Sequence, residues 1–427
     1  MVKPVEEQLV ERFFRYLAVA SQSDVRATSL PSTPGQLRLA RLLSEELEFL
    51  KASDIHLDEN GILTARIPGT VPDAPCIGFV AHLDTVDVGL SPAIRPQRLR
   101  FQGDDLLLNK EAGIWLRVDD HPEILPYKGE EILFGDGTSV LGADNKAAIA
   151  VVMTLVEEFL RKRPRHGDIV VAFVPDEEIG LRGAKALDLA RFPAAFAYTI
   201  DCCERGEVVY ETFNAASVEI NITGVPAHPM SAKGVLVNPI LVAADLMSLF
   251  DRKQTPEHTA GREGYWWFNG ITGDQSAAQI KMAIRDFDAE IFEERKSFVL
   301  ESVEKIQERF PRAKIECRIE DSYRNIAAAL GGKRDSVDLV LRAMAELGIT
   351  SKVVAMRGGT DGSALSARGL PTPNYFTGAL NFHSRFEFLP ISSFCDSFRV
   401  TQRICELAAE RGASVLRPNA RSDSSMG

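Results

Sequence analysis

The sequence predicts an α/β protein in two parts. A main domain has a mostly parallel sheet with helices on both faces, and a smaller α/β domain of strand-helix-strand-strand-helix-strand order is inserted into it. Three observations carry this reading. Short apolar, β-branched runs (residues 76–81, 168–174 and 194–200) alternate with stretches of helical periodicity, the pattern of a sheet buried on both faces. After about Asn214 the pattern changes to alternating half-exposed strands and amphipathic helices for roughly 110 residues, a domain-sized insertion. Finally, His82, Glu177, Glu178 and Asp201 fall where apolar strands end, and open α/β sheets bind ligands beyond the carboxyl ends of their strands.

Taken in order, Leu9, Val10, Phe13, Phe14 and Leu17 repeat at helical spacing. A second helix follows Pro34-Gly35, with Leu39, Leu42, Leu43 and Leu47 on one face. Glu59-Asn60-Gly61 between alternating runs predicts a hairpin turn. Residues 76–81 predict a buried strand, 146–161 a helix, and 168–174 and 194–200 two more buried strands. The insertion predicts strands at 217–223, 265–271, 277–284 and 314–320, with helices at 238–250 and 289–310. The chain returns through a helix (335–347), a short strand (352–355) and the segment carrying His383. The main domain is therefore expected at 1–213 and 328–427 and the inserted one at 214–327, with a polar, disordered tail from Arg417.

A chain of 427 residues with 45% apolar content suits two globular domains. The formal net charge is −11, and no Lys/Arg run interleaves with aromatics, which argues against a nucleic-acid partner. There is no apolar signal core at the start and no 18-residue apolar run, so a cytoplasmic protein without a membrane partner is expected. The six cysteines show no framework spacing and predict reduced thiols.

The chemistry concentrates in five side chains of metal-ligand type: His82, Asp144, Glu178, Asp201 and His383. Two histidines and three carboxylates suit a pair of zinc ions, which bind such atoms at about 2.0–2.2 Å. A carboxylate can bridge two metals about 3.5–4 Å apart. His82-Leu83-Asp84 puts two polar side chains on one side of an extended chain, a ligand and the acceptor that would orient it; the plain alternative is a solvated pair at a strand end. Asp144 opens a helix after a glycine, so it reads equally as an N-cap, although capping leaves lone pairs to bridge metals. Asp176-Glu177-Glu178 crowds three acids at the end of a buried strand, where they repel unless a cation or solvent offsets them. One glutamate can bind metal while its neighbour takes a proton from water; the alternative is an exposed acidic loop. Asp201 and His383, each alone, also read as satisfied polar residues. His228, between prolines, is either a surface turn or a group reaching a developing oxyanion. The run Arg357-Gly358-Gly359-Thr360-Asp361-Gly362-Ser363 lacks Walker spacing. Its arginine could clasp a carboxylate, or the run is a turn capped by Thr360 or Asp361. A nucleotide-binding reading fails for want of a glycine-rich first strand-to-helix loop.

The chain resembles the dinuclear-zinc exopeptidases that carry an inserted lid and, within them, the aminotripeptidase family peptidase T. The similarity covers nearly the whole chain. It includes His82-Leu83-Asp84, the run from Leu141 to Ala147, the run from Pro175 to Gly180, and Thr199-Ile200-Asp201. It also includes Ala227-His228-Pro229 with Ala232-Lys233-Gly234, Thr255-Pro256-Glu257-His258-Thr259, Ile284-Arg285-Asp286, the run from Arg357 to Gly362, and Phe376-Thr377-Gly378 ahead of His383. The resemblance implies an α/β catalytic domain, an α/β lid and a homodimer. It implies two zinc ions per subunit, one on His82 and Asp201 and one on Glu178 and His383, with Asp144 bridging. Glu177 would be the general base and Asp84 the orienting residue. His228, Arg285, Asn325 and Arg357 would contact a small peptide, the arginines near its C-terminal carboxylate. The implied activity is release of the N-terminal residue from tripeptides by metal-activated water. The alternatives are another exopeptidase or amide hydrolase of the clan (dipeptidase, carboxypeptidase, deacylase) or a catalytically silent metal-binding interaction protein. Two departures stand out: Asn145 replaces the second aspartate usual in the family, and Cys202-Cys203 replace its glycines.

Overall fold

A computed structural model describes residues 3–332 and 334–415; the tail expected to be disordered from Arg417 lies outside the described residues. The chain divides into two compact units. The second comprises Glu211–Ala328 and Ala355–Gly359, and the first comprises the rest. Residues 355–359 thus group with the insertion, whereas the sequence pattern left them in the surrounding domain.

The first unit is built on an eight-stranded sheet. Its spatial order is Ser53–Leu57, Leu63–Ile67, Ile169–Val174, Ile77–His82, Phe196–Cys202, Asn374–Phe376, Glu207–Thr212 and Lys352–Met356. Ile169–Val174, Ile77–His82, Phe196–Cys202 and Asn374–Phe376 run parallel to one another. Leu63–Ile67 and Glu207–Thr212 pair antiparallel on either side of them. Every residue of Ile77–His82 and Ile169–Val174 is buried, which is why these strands read as unbroken apolar runs. The hairpin expected at Asn60-Gly61 forms, with Gly61 at φ +77°. Helix Ala143–Lys162 packs on the sheet and against helices Val5–Leu17 and Ile391–Val415, so it is buried almost throughout its first 17 residues rather than amphipathic. Its first turn lies beside the carboxyl end of Ile77–His82, the centre of the sheet.

Residues 85–140 gave no sequence signal yet carry their own small structures. Gln97–Arg100, Glu131–Phe134 and Phe388–Pro390 form a three-stranded antiparallel sheet, and Leu106–Asn109 pairs with Ile114–Leu116. Phe101, Leu108, Leu116, Ile124, Ile132, Phe134 and Phe388 make its core. This sheet holds the chain immediately after the loop of His383.

The second unit is a four-stranded antiparallel sheet in the order Tyr265–Gly273, Ala277–Asp286, Asn214–Thr223, Lys314–Tyr323. Helices Pro239–Met247 and Ala289–Arg309 pack on it, giving the expected element order. Alternate residues Ala216, Val218, Ile220 and Ile222 face a core shared with Leu246, Trp266, Phe292 and Val299. Asp288 caps the longer helix through the N–H groups of Glu290 and Ile291.

Candidate metal centre

Each ligand-type residue sits at an element boundary of the first unit. His82 ends the central strand, Glu177 and Glu178 follow the end of Ile169–Val174, and Asp201 lies near the end of Phe196–Cys202. Asp144 opens the buried helix with a non-helical, extended backbone (φ −78°, ψ 100°), and His383 lies in a loop at a positive φ of 61°.

The geometry centres on Asp144. Its Oδ1 lies 2.9 Å from His82 Nε2, and its Oδ2 lies 3.0 Å from His383 Nε2. One carboxylate therefore turns one oxygen to each histidine. His383 Nε2 is also 3.0 Å from Glu178 Oε1, and His82 Nε2 is 3.8 Å from Asp201 Oδ1. The nearest acceptor for His82 Nδ1 is the carbonyl oxygen of Asp84 at 3.0 Å, with its carboxylate at 3.4 Å. A carbonyl only accepts, so Nδ1 carries its proton and Nε2 faces the cluster. The Asp84 carboxylate has a second task, accepting the backbone N–H of Glu177 at 3.0 Å and of Glu178 at 3.2 Å. It thereby ties the glutamate pair to the histidine strand. Asp176, the first acid of the run, is fully buried and takes no part in the cluster. Its carboxylate accepts from Ser32 N at 2.8 Å and Gln36 Nε2 at 2.6 Å, anchoring the start of that turn.

Electrostatics mark the cluster as incomplete by itself. Hydrogen bonds to Asp144 and Glu178 push His383 up to about 11. Burial opposes charge on His82, yet Asp144, Asp201 and Asp84 raise it well above the usual imidazole range. Burial works against ionised Asp144 too, but the two histidines hold its carboxyl low. Burial and then Asp144 push Glu178 up to about 7 and Asp201 up to about 6, and burial raises Glu177 well above the carboxylate range. Such crowding of buried acids is relieved by cations. Two further observations test the fit. Ligand atoms of His82, Asp144 and Glu178 lie within 4.8 Å of one another, and Asp144 Oδ2 and Glu178 Oε1 both face the single His383 Nε2 at 3.0 Å, more acceptors than one N–H serves well. Imidazole nitrogens with carboxylate oxygens are the donor set of zinc and similar divalent ions. The residues fit a metal site.

A model of peptidase family M20/M25/M40 matches residues 116–407. The chain belongs to this family. A peptidase T-like protein of Yersinia pestis is 62% identical over 96% of this chain and 100% of its own length. Peptidase T of Bacillus subtilis (strain 168) is 41% identical over 94% and 98%. The crystal structure of aminopeptidase PepT from Bacillus cereus ATCC 10987 shares the fold, with a TM-score of 0.74 at 23% identity, covering 95% of this chain and 99% of that one. A Bacillus subtilis protein described as a dinuclear metal binding peptidase of the same family superposes with a TM-score of 0.64 at 14% identity, over 95% and 99%.

In this M20/M25/M40 member, Asn145 has a clear local use. Its Nδ2 donates to Asp201 Oδ1 and to the carbonyl of Ile200, both at 2.8 Å, and its Oδ1 accepts from His82 N at 3.3 Å. An ionised aspartate could accept but not donate, so the asparagine steadies Asp201 where an acid would repel it. Cys202 is buried and Cys203 half-buried, and burial pushes both thiols up, which disfavours their thiolate forms.

The four candidates for substrate contact belong to the second unit. His228 is exposed, and its Nδ1 accepts from Met230 N at 3.2 Å. Arg285 Nη1 donates to the carbonyls of Ile284 at 2.8 Å and Ala216 at 3.2 Å. Arg357 donates to Thr259 Oγ1 at 2.7 Å and to the carbonyls of Glu263 at 2.8 Å and Gly261 at 3.2 Å, and stacks over Phe213 and Tyr265. Asn325 is buried, with its Oδ1 accepting from Thr212 N and Ala327 N, both at 3.0 Å, and its Nδ2 donating to Phe287 O at 3.2 Å. Thr360, as the plainer reading had it, caps the helix Asp361–Ala367.

Asp361, which the sequence offered only as a cap, is buried with an unpartnered Oδ1. Two groups escaped the sequence reading. Glu123 receives Asn381 Nδ2 at 2.6 Å. Glu387 is buried against the turn of Asp144. Only an Asp or Glu among many marks these positions in the sequence, and no spacing distinguishes them.

Proposed function

We propose that this M20/M25/M40 peptidase is a zinc-dependent aminopeptidase that releases the N-terminal residue of tripeptides. The observation that carries the two-metal reading is the split carboxylate of Asp144, one oxygen to each histidine. One zinc would rest on His82 and Asp201 and the other on Glu178 and His383, with Asp144 between them. The ions would polarise the scissile carbonyl and lower the pKa of a water. Glu177 would accept that water's proton and pass it to the leaving amine; burial raises its carboxyl well above the usual carboxylate range, which suits a group that must take up a proton and give it back. Asp84 holds Glu177 in place through its backbone N–H. His228 would reach the developing oxyanion, and Arg285, Asn325 and Arg357 would bind the peptide and its C-terminal carboxylate.

Support for the tripeptide comes from relatives named peptidase T at about 40% identity along nearly their whole length. Relatives at 58% and 62% are named peptidase T-like, which favours a second reading, an exopeptidase of the same chemistry with a different preferred substrate. Hydrolysis of matched di-, tri- and tetrapeptides and N-acetylated tripeptides by zinc-loaded protein separates them. Free tripeptides should be cleaved at least tenfold faster than the others; a preference for dipeptides or acylated substrates overturns the tripeptide assignment.

The protein is also proposed to work as a homodimer through the second unit. Leu241 (62% exposed) and Ile240 (43%) on one helix and Ile271 (54%) on the edge strand Tyr265–Gly273 offer apolar surface beside unpaired backbone. Sedimentation of a monomer at micromolar concentration would overturn this. Among the described residues no helix is long and apolar enough to cross a membrane, and the acidic chain acting in the cytoplasm remains part of the same proposal.

A further inference from the structure

We infer that Glu387 is a positioning residue that locks the turn carrying Asp144 to the loop carrying His383. Its consequence for metal binding rests on the two-metal reading above; its geometry does not.

Glu387 is 1% exposed. Its Oε2 accepts the backbone N–H of Gly142 at 2.7 Å, and its Oε1 accepts that of Asp144 at 3.1 Å. Both amides stand at the start of helix Ala143–Lys162, where the first N–H groups have no partner within the helix. A carboxylate there also meets the positive end of the helix dipole. That much would be ordinary capping. The difference lies in where the carboxylate comes from, 245 residues along the chain from Gly142 and four positions after His383.

The His383 loop is closed on itself. Leu380 and Phe388 exchange backbone hydrogen bonds at 2.9 and 3.1 Å. Within it Asn381 and His383 both adopt positive φ, 60° and 61°. For a histidine this conformation persists only where the surroundings hold it. Asn381 Nδ2 is held by Glu123 at 2.6 Å near the loop's start, and Glu387 fixes its end to the helix turn. The carboxylate grips the amide of Asp144 itself, the residue whose Oδ2 faces His383 at 3.0 Å. One side chain thus sets the spacing between a candidate bridging ligand and a terminal ligand. Ligand distances must hold within about 0.2 Å for a site to bind well. Slippage of loop against turn would be felt first by the Glu178–His383 site and less by the His82–Asp201 site. Burial and the nearby Asp144 carboxylate make this acid an electrostatically costly cap, and its hydrogen bonds to the amides of Asp144 and Gly142 offset part of that cost.

The test compares wild type, Glu387→Gln and Glu387→Asp, each stripped with chelator. Hydrogen exchange of the peptide spanning 140–146 is followed by mass spectrometry, and zinc chloride binding by calorimetry. Wild type should protect the Gly142 and Asp144 amides. Glu387→Gln, which offers one acceptor where two are used, should speed their exchange at least tenfold. It should also weaken one zinc equivalent by about 10–100-fold, the usual effect of losing a ligand's hydrogen-bonded support, and the other by less than threefold. Glu387→Asp, the fallback if the glutamine variant does not fold, should fall between. Unprotected wild-type amides overturn the lock. Faster exchange with both equivalents unchanged, or both weakened alike, reduces Glu387 to a cap and overturns the positioning role. If wild type itself binds fewer than two equivalents, the two-metal reading has failed, and the exchange data alone decide the lock.

Discussion

The two units treat their functional side chains differently. In the first, His82, Asp144, Glu178 and His383 point at one another, and the pKa values of their carboxyls and imidazoles are shifted, Asp144 downward and Glu178 and His383 upward. In the second, Arg285, Arg357 and Asn325 are turned onto the unit's own backbone, donating to carbonyls or bracing N–H groups. A cluster of buried acids is expensive unless cations complete it, so its presence is itself evidence of chemistry. A satisfied arginine or asparagine advertises nothing, because a structural role and a binding role leave the same hydrogen bonds.

The contrast can be broken by experiment. The largest effect is expected from Glu177→Ala, which should keep the fold and the metal content but lower kcat by about 10²–10⁴. Activity within about threefold of wild type would remove Glu177 from the role of base, and lost zinc would mean it is a ligand instead. Next, Asn325→Ala leaves the N–H groups of Thr212 and Ala327 without their acceptor and should cost about 2–4 kcal/mol of stability. If urea melts barely move while KM rises tenfold, Asn325 serves substrate rather than the fold. Arg357→Ala is predicted to reduce kcat/KM for tripeptides about tenfold or more and to narrow the gap between acid and C-terminally amidated substrates. A variant that discriminates as wild type does would make Arg357 a brace for residues 259–263, the use its present hydrogen bonds describe.

Smaller effects sharpen the electrostatic half of the comparison. Asn145→Asp should bring a carboxylate against Asp201 and weaken zinc binding about three- to tenfold; calorimetry with unchanged affinity would show that the amide's donation is dispensable. The pH dependence has a definite sign. Glu178 and Asp201 are raised above their unfolded values, so chelator-stripped protein binds more protons folded than unfolded. Their contribution to stability is present at low pH and fades as pH rises to about 7. His383, raised from 6.5 to about 11, adds a loss of the same sign above pH 6.5. Zinc needs these groups deprotonated, so the stabilisation it gives should grow over the same range. Thermal melts at pH 6 and 8 with chelator or zinc check this; a zinc effect larger at pH 6 contradicts it.

Much of this was legible locally. The apolar strands, the 3.6-residue periodicity of the helices and the element order of the insertion follow from patterns within a few residues. The ligand-type residues stood out because acids and histidines directly follow apolar runs, an arrangement with few bland explanations in combination. By contrast, Gln97–Arg100, Glu131–Phe134 and Phe388–Pro390 are strands of three or four residues paired across long separations, too short to set up a period.

The sequence by itself determined which residue types could hold metal, their order along the chain, and which runs must be buried, because periodicity and composition act locally. Tertiary structure decided what required distant segments to meet. It turned one oxygen of Asp144 to each histidine, made Asn145 a donor to Asp201, spent Arg357 on the loop at 259–263 and brought Glu387 to the amides of Gly142 and Asp144. A hydrogen bond between residues hundreds of positions apart leaves no periodic trace, since nothing in the intervening chain must match it.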